Sequence, residues 1–549
     1  MNRLSTRHYA LLAAFALAIF LPGRASLPPL DRDEPRYMEA AAQMLQTGNY
    51  VDVRFQDQPR YLQPAGIYWL EAAAVAATGT LQHRQVWGWR IPSLIAAICS
   101  VLLTAAIGAS LYGAETGLFA ALLLALSVLM TAEARMATID SCLLTTVLLA
   151  EFALLRIWRS RDDADAGSTR LAALYWAALG IGLMLKGPVV LIPGFGTPIA
   201  LAVAEREWRW WKRLHPAWGV PLMLAIVLPW CIAIGLVSHG SFFSKAVGTN
   251  FLGKVASGQQ AHGLPPGYHL LVFAIAFWPG SLFAVAAIPF VWLRRHQPEV
   301  RFLLCWIIPH WLVFELIATK LPHYVLPIYP AIAILAAAAL TAPEGWQWPW
   351  RVAGRALLGL YGAIWLLAGL GIAFAGPMLL WRLQHVLSVP ALFASGLALV
   401  LVPGAAWLMG LGEPRRAAAL ASAAALLTYS SLFWVVLPNL GTIWLSPRIA
   451  AMVAQVKPCP DSVLASASFS EPSLVFLVGR DTHLVDAAGA ADLLAQDRRC
   501  AMALVDTGDE AAFQARLASD GIGVRQLGRV GGINYSTGKR LELGLFKAS

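Results

Sequence analysis

The chain has 549 residues, of which 58% are hydrophobic and only 13% are charged, and its formal net charge is +10. Soluble proteins carry about 25% charged residues, so this composition excludes an ordinary soluble domain and predicts a polytopic α-helical membrane protein. A soluble helical protein with a large buried core does not explain why apolar stretches of about 20 residues recur. The positive charge does not indicate nucleic-acid binding, because cytoplasmic loops of membrane proteins collect Lys and Arg.

Thirteen apolar segments are predicted to span the membrane. They lie at about 8–22, 90–111, 115–131, 139–157, 171–186, 188–204, 217–237, 269–293, 302–318, 323–340, 354–375, 389–409 and 417–437. The first resembles a signal peptide, but further spans follow at once, so we interpret it as an uncleaved span. An odd number of spans predicts that the two termini lie on opposite sides of the membrane.

The charged loops predict the orientation. With a cytoplasmic N-terminus, basic loops fall on the cytoplasmic side, as the positive-inside rule requires. These loops are 156–170, 205–213, 293–301, the stretch around Arg351 and Arg355, and 413–416. The periplasmic face then carries a first loop (about 23–89), a flexible loop (about 238–268) and a tail. We therefore predict a multi-pass bacterial inner-membrane protein with a transmembrane domain over 1–437 and a periplasmic domain over 438–549.

The first loop is an exception to the positive-inside rule. It contains seven arginines, Arg24, Arg32, Arg36, Arg54, Arg60, Arg84 and Arg90. A folded loop of this length can escape the rule, and a site for an anionic ligand at the membrane surface is the other explanation. Within the loop, YMEAAAQMLQTG predicts an amphipathic helix that ends at Gly48.

The tail predicts a small α/β domain. Strand-like segments are SVLASASF, SLVFLVG, CAMALVD and LELGLFK, and helix-like segments are AAGAADLLAQ and EAAFQARLASDG. Such alternation is typical of an α/β fold. Cys459 and Cys500 both lie here, so an oxidising compartment favours a disulfide between them, with two free thiols as the alternative.

Ionisable residues converge on the predicted periplasmic face. They are Asp33, Glu34, Arg36, Asp140, Lys186, Lys320 and His323. Ionisable groups near a bilayer are costly and often functional. Four of them also have a plainer explanation: Asp33, Glu34 or Asp140 can begin or cap a helix, and Lys186 can extend to the lipid interface. The loop FLGKVASGQQAHGLPPGYH adds Lys254 and His262, and His262 is the candidate ligand for a divalent metal.

Several motifs together resemble a known family. They are RDEPRYMEAAAQMLQTGNYV, YLQPAGIYWL, the Asp140 region, LMLKGP, HGLPPGYHLLVFAIAFWPGS and ATKLPHYVLPIYPAIAIL. In this order they resemble the bacterial aminoarabinose transferases that modify lipid A and, more distantly, the dolichyl-phosphate-mannose protein mannosyltransferases. Both are integral-membrane glycosyltransferases of the GT-C type.

The resemblance implies the reaction and assigns roles. A polyprenyl-phosphate sugar, such as one linked to undecaprenyl phosphate, is the donor, and lipid A or a related envelope glycolipid is the acceptor. Asp33 is the catalytic candidate, as base or as the residue that orients the acceptor, with Asp140 and Glu34 beside it. The candidates for binding the donor phosphate and lipid are Arg36, Tyr37, Gln63, Lys186, Lys254, Lys320, His323 and Tyr324.

One departure from the family concerns the metal and the donor. Where the aminoarabinose transferases have Glu-Lys before a proline, this chain has Leu62-Gln63-Pro64. The family's lysine is expected to contact the donor phosphate and its glutamate to help hold a metal. Gln63 can donate a hydrogen bond but brings no charge.

Other functions remain open at this stage. A protein O-glycosyltransferase would use the same donor class, and an oligosaccharide ligase would use pyrophosphate donors. A transporter of lipid-linked sugars is the non-enzymatic alternative. It would show polar residues at mid-membrane and paired repeats with broken helices.

Overall fold

The structure is a computed structural model that describes residues 4–161, 168–246, 248, 253, 263–342 and 352–549. All thirteen predicted apolar segments are helical over most of their described length. Among the described helical segments, eight are long and apolar enough to cross a membrane, and two shorter ones are also apolar. The prediction of a polytopic α-helical membrane protein is confirmed, whereas the count of thirteen crossings stays a prediction.

The helices up to residue 243 form two groups. Those assigned to the membrane part are α1 Thr6–Phe20, α4 Ile91–Tyr112, α5 Ala114–Ala125, α6 Val128–Glu133, α7 Asp140–Arg159, α8 Thr169–Lys186, α9 Leu191–Glu205 and α10 Pro216–Val237. The first loop contributes α2 Glu34–Thr47, strands β1 Arg54–Phe55 and β2 Gln58–Pro59, and α3 Gly66–Thr78, and α11 Ser241–Phe243 follows α10.

Helices continue from residue 268 to the end of the apolar region. They are α12 Tyr268–Ala276, α13 Gly280–Ala286, α14 Ile288–Leu293, α15 Pro298–Leu316, α16 Tyr329–Leu340, α17 Val352–Gln384, α18 Val389–Gly410 and α19 Pro414–Ser431. The single span predicted over 269–293 is three short helices, because Pro279 and Pro289 lack the N–H that a continuous helix needs.

The predicted helix of the first loop is confirmed. Helix α2 ends at Gly48, which has a φ of 70°, a conformation that costs glycine little because it has no Cβ. Almost the whole helix is buried, including Met38, Ala41 and Met44. This burial fixes its first turn, where Asp33 and Glu34 lie.

The tail forms a small α/β unit, as predicted. Its elements are α20 Leu445–Val456, β3 Leu464–Ala467, α21 Pro472–Val478, β4 His483–Val485, α22 Ala487–Gln496, β5 Met502–Asp506, α23 Glu510–Ser519, β6 Val524–Asn534 and β7 Lys539–Ala548. The strands lie in the order β4-β3-β5-β7-β6. The pairs of β3 with β4 and with β5 are parallel, and those of β7 with β5 and with β6 are antiparallel.

One predicted strand of the tail is wrong. SLVFLVG is helix α21, which starts at Pro472 and stops at Gly479. Proline favours the first turn of a helix, and a short apolar run alone does not distinguish a strand from a buried helix. A disulfide joins Cys459 and Cys500, whose Cα atoms are 5.4 Å apart.

The α/β unit contacts the first loop directly. Ser473 donates its backbone N–H to the Asp31 carboxylate at 2.9 Å, and Asp31 donates its own N–H to the Tyr535 hydroxyl at 2.6 Å. Gln56 donates to the carbonyl oxygens of Arg480 and Thr482. These contacts hold the start and the middle of the first loop against the α/β unit.

Candidate active site

A cavity of about 270 Å³ lies where α7, α8, α10 and α15 meet the first loop. Its polar lining comprises Gln63, Asp140, Lys186, His323 and Tyr324. Its remaining walls are largely apolar and include Leu143, Leu183, Trp230, Phe242 and Phe314. The topology therefore brings together five of the residues singled out from the sequence, which are up to 261 positions apart, from Gln63 to Tyr324.

An ion pair forms the polar end of the cavity. Asp140 is the first residue of α7 and Lys186 the last residue of α8, and Lys186 Nζ donates to Asp140 Oδ1 at 2.5 Å. The ammonium also lies over the Tyr324 ring, 5.6 Å from its centroid. Asp140 makes no helix-capping hydrogen bond among the described contacts, and Lys186 faces a cavity. These positions favour the functional explanation of both residues.

Asp140 of this pair is also one of three potential metal ligands. Ligand atoms of Glu133, Asp140 and His323 are all within 4.8 Å of one another. Carboxylate and imidazole groups suit a divalent cation such as Zn²⁺. The Lys186 ammonium already neutralises Asp140, so a cation there would have to displace it. The metal candidate from the sequence, His262, lies outside the described residues, as does Lys254.

Asp33 lies immediately before α2 and keeps its carboxylate accessible. Its side chain is 65% exposed, and it makes no capping hydrogen bond with the described residues of the helix. The nearest charged partner is Arg60, whose Nη2 lies 3.9 Å from Asp33 Oδ1. Capping therefore does not explain the residue, and its carboxylate remains available to a ligand.

Glu34 has a different environment from its neighbour. Its carboxylate is almost fully buried and accepts two hydrogen bonds from Arg90, at 2.7 and 2.9 Å. It also accepts the backbone N–H groups of Leu30 and Ala137, both at 2.8 Å. A carboxylate with four donors is not available as a proton acceptor. We therefore correct the catalytic prediction for Glu34: it braces α2 against the segment that leads into Asp140.

Lys320 also differs from its predicted role. Its ammonium is 1% exposed and donates to the carbonyl oxygens of Phe314, Glu315 and Ile317, at 2.7 to 3.2 Å. These carbonyls belong to the end of α15 and the residue after it, where helices leave carbonyl groups without partners. Lys320 is thus a helix cap and is absent from the cavity lining.

Tyr37 packs against Tyr68 and Arg60. It is buried on α2, its ring centroid is 5.5 Å from that of Tyr68, and the Arg60 guanidinium lies 5.0 Å from its centroid. Gln63 donates to the Tyr68 hydroxyl at 3.2 Å and also lines the cavity. Arg36 lines a separate groove beside Arg60.

Sequence reasoning did not single out three residues of this region. Glu133 lies beside Asp140 and His323, Arg60 lies near Asp33, and Arg90 forms an ion pair with Glu34. Arg60 and Arg90 were visible only as two of seven arginines in a loop where few are expected. Glu133 lies seven positions before Asp140, in the same EARMATID segment.

Comparison with known proteins shows which proteins the chain resembles. The profile of the family "Dolichyl-phosphate-mannose-protein mannosyltransferase" matches residues 63–232. The undecaprenyl phosphate-alpha-4-amino-4-deoxy-L-arabinose arabinosyl transferase of Pseudomonas paraeruginosa is 29% identical over 346 residues, which cover 62% of this chain and 60% of that protein. A second transferase of that name, from Pseudomonas fluorescens, is 30% identical over 374 residues, covering 66% and 63%. The aligned region thus spans less than two thirds of these relatives.

A solved structure extends the similarity to the whole chain. The crystal structure of ArnT from Cupriavidus metallidurans bound to undecaprenyl phosphate superposes with a TM-score of 0.76 over 98% of both chains, at 21% identity. Together with the apolar helices, these similarities indicate a multi-pass inner-membrane protein. The chain has the GT-C fold and resembles the aminoarabinose transferases of lipid A.

Proposed function

We propose that the chain is a glycosyltransferase that moves a sugar from a polyprenyl-phosphate donor to lipid A or a related envelope glycolipid. The reaction takes place at the periplasmic face of the inner membrane, with the N-terminus in the cytoplasm and the α/β unit in the periplasm. The observation that carries the proposal is the cavity, which has the Lys186–Asp140 pair at one end and apolar walls. The Pseudomonas relatives are named for an undecaprenyl-phosphate aminoarabinose donor, so this donor is the first to test.

The cavity suits a lipid phosphate. An apolar wall favours a polyprenyl chain through area removed from water, about 25 cal/mol per Å². The Lys186 ammonium is paired with Asp140 but has three N–H donors, so it can also donate to the phosphate, and such contacts act most strongly where water is excluded. The related transferases have a lysine before the proline, where this chain has the uncharged Gln63. In this chain Lys186 therefore binds the phosphate without help from a second lysine at that position.

The chemistry needs an aligned acceptor as well as a stabilised leaving group. During transfer, an acceptor oxygen forms a bond to the anomeric carbon, and the bond from that carbon to the donor phosphate oxygen breaks. Lys186 stabilises the charge that returns to the phosphate. Asp33 takes the proton of a hydroxyl acceptor, a contribution of about 10²–10⁴-fold in general base catalysis, or orients an acceptor that is already ionised.

Complementation of a deletion strain tests the function. Lipid A from cells lacking the chain should lose an aminopentose that the wild-type gene restores, as measured by mass spectrometry. Asp33→Asn and Lys186→Gln should fail to restore it, although both variants reach the membrane in normal amounts. Full restoration by Asp33→Asn, or no change in lipid A on deletion, contradicts the proposal.

A second acceptor class has a specific observation behind it. The matching family profile is described by mannosyl transfer to protein. If the deletion leaves lipid A unchanged but removes sugar from periplasmic proteins, the chain is a protein O-glycosyltransferase. The donor class and the roles of Asp33 and Lys186 would be the same.

A further inference from the structure

A groove lies between α13, α17 and α18, in a part of the chain that the candidate active site does not use. It has a volume of about 560 Å³, and its lining includes Leu282, Arg355, Leu366 and Met409. We call it the α17 groove. Among the described residues, its lining and that of the active-site cavity have no member in common, so the two are separate.

The packing of α17 explains why a groove is present. From Trp365 onward the helix is held closely: Trp365 donates its indole N–H to the Pro279 carbonyl at 3.0 Å. Ser395 of α18 donates to the Ala373 carbonyl at 2.7 Å. Nearer the start of α17, a Cβ added at Gly362 would meet no described atom within 4 Å. The helix is therefore packed along its second half and leaves a gap beside its first half.

The length of the groove matches one leaflet of a bilayer. Its lining runs along α17 from Arg355 to Leu366, a rise of about 17 Å at ~1.5 Å per residue. Half of the hydrocarbon core of a bilayer is about 15 Å thick. An acyl chain of a membrane lipid fits this length, and it supplies the dispersion contacts that an unfilled gap lacks.

Arg355 gives the groove a preference for charge. Apolar walls alone do not select a lipid inside a bilayer, because lipid chains are as apolar as leucine. Arg355 lines the groove, is exposed, and has no ion pair or hydrogen bond with any residue that the structure describes. By contrast, Arg415 and Arg416 at the start of α19 pair with Glu115 and Glu413. The Arg355 guanidinium is thus available to a phosphate, whose oxygens match its paired N–H groups.

We propose that the α17 groove binds one glycerophospholipid with an anionic headgroup, such as phosphatidylglycerol. Its acyl chain lies along α17, and its phosphate accepts hydrogen bonds from Arg355. The loop charges predict that this end of α17 faces the cytoplasm, and anionic lipids are attracted to basic groups at that surface. An undecaprenyl chain is much longer than the groove, so an acyl chain fits better. The bound lipid completes the packing of α17 against α13 and α18.

Native mass spectrometry of the full chain tests the headgroup preference, with phosphatidylglycerol and phosphatidylethanolamine as probes. The wild-type chain should bind one phosphatidylglycerol about tenfold more tightly than phosphatidylethanolamine, the effect of one charge-assisted contact. Arg355→Gln should bind both lipids equally. Arg382→Gln is the matched control and should bind like wild type, because Arg382 is exposed at the other end of α17 and outside the groove lining.

A second variant tests the position of the acyl chain. Gly362→Leu should fill the groove and weaken the binding of both lipids, and it should keep the fold, because leucine favours a helix interior more than glycine does. Gly371→Leu is its matched control in the same helix. A Cβ at Gly371 also meets no described atom within 4 Å, and Gly371 lies outside the groove lining. If Gly362→Leu does not fold, Arg355→Gln decides the test.

Four results would overturn the inference. They are equal binding of the two lipids by wild type, phosphatidylglycerol binding that Arg355→Gln leaves unchanged, binding by a folded Gly362→Leu that equals that of Gly371→Leu, and displacement of phosphatidylglycerol by undecaprenyl phosphate. A wild-type dimer that Gly362→Leu converts to monomers would also overturn it, because the groove would then be an interface between two copies. Sugar transfer is not measured, so the outcome does not depend on the proposed function.

Discussion

Adjacent carboxylates in this protein have opposite surroundings, and burial rather than position in the sequence decides their roles. Asp33 is exposed and has one distant partner, whereas Glu34 is enclosed by four donors. The sequence shows only two acidic residues in a row before Pro35. It cannot show that Arg90, 56 positions later, reaches back to one of them.

This contrast predicts that the two neighbouring substitutions fail in different ways. Glu34→Gln leaves the Arg90 charge buried without its partner, and breaking a buried ion pair typically costs about 3–5 kcal/mol. We expect a lower melting temperature and less protein in the membrane. Asp33→Asn should melt like wild type and lose transfer. Equal melting of all three proteins would contradict the brace assigned to Glu34.

Two elements far apart in the chain meet around Asp31, two residues before Asp33. Its carboxylate accepts from Ser473 in α21, and its N–H donates to Tyr535 in the turn after β6. Burial, with a contribution from the Glu471 charge, raises the pKa of Asp31 to about 6, although the hydrogen bonds from Ser473 oppose the shift. The α/β unit therefore holds the segment that carries the catalytic candidate.

The raised pKa gives the contact a pH dependence with a defined sign. Between pH ~4, the usual pKa of an aspartate, and pH 6 the unfolded chain loses the Asp31 proton while the folded chain keeps it. The contribution of Asp31 to the free energy of unfolding therefore falls as pH rises through this window, and it is constant above the window. Asp31→Asn keeps an oxygen for the Ser473 N–H but cannot ionise.

Melting curves of the two proteins measure this effect. The melting temperature of Asp31→Asn relative to wild type should increase from pH 4 to about 6.5 and then level off. Ser519→Ala is the control, because Ser519 is exposed and lies at the end of α23. The melting temperature of this variant should change with pH as that of wild type does. Parallel curves for Asp31→Asn and wild type would show that the buried carboxyl does not titrate in this window.

At the scale of the whole molecule, the length of the apolar segments predicted the membrane part, and the amphipathic pattern before Gly48 predicted the helix of the first loop. These patterns gave the wrong structure for α21, because a short apolar run fits a strand as well as a buried helix. They also missed that prolines divide one predicted span into α12, α13 and α14. The candidate site was predicted in part. The predicted topology was enough to bring Asp140, Lys186 and Tyr324 together. The helix-capping role of Lys320 and the position of Glu133 depend on side-chain contacts, which the sequence pattern does not show.

The predicted orientation can be tested by labelling. In a chain whose four free cysteines, Cys99, Cys142, Cys231 and Cys305, are replaced by serine, single cysteines are introduced at two exposed positions. An impermeant thiol reagent added to intact spheroplasts should label Gln46→Cys in the first loop but not Arg295→Cys. Labelling of Arg295→Cys alone would invert the topology and move the site to the cytoplasmic face.

Reconstituted transfer tests the central claim most directly. Purified chain in proteoliposomes is given undecaprenyl-phosphate aminoarabinose and lipid A, and the lipids are analysed by mass spectrometry. The account predicts lipid A that carries one aminopentose, and none with an undecaprenyl-pyrophosphate donor or with Asp33→Asn. Unmodified lipid A from the phosphate donor, or equal transfer by Asp33→Asn, would contradict it.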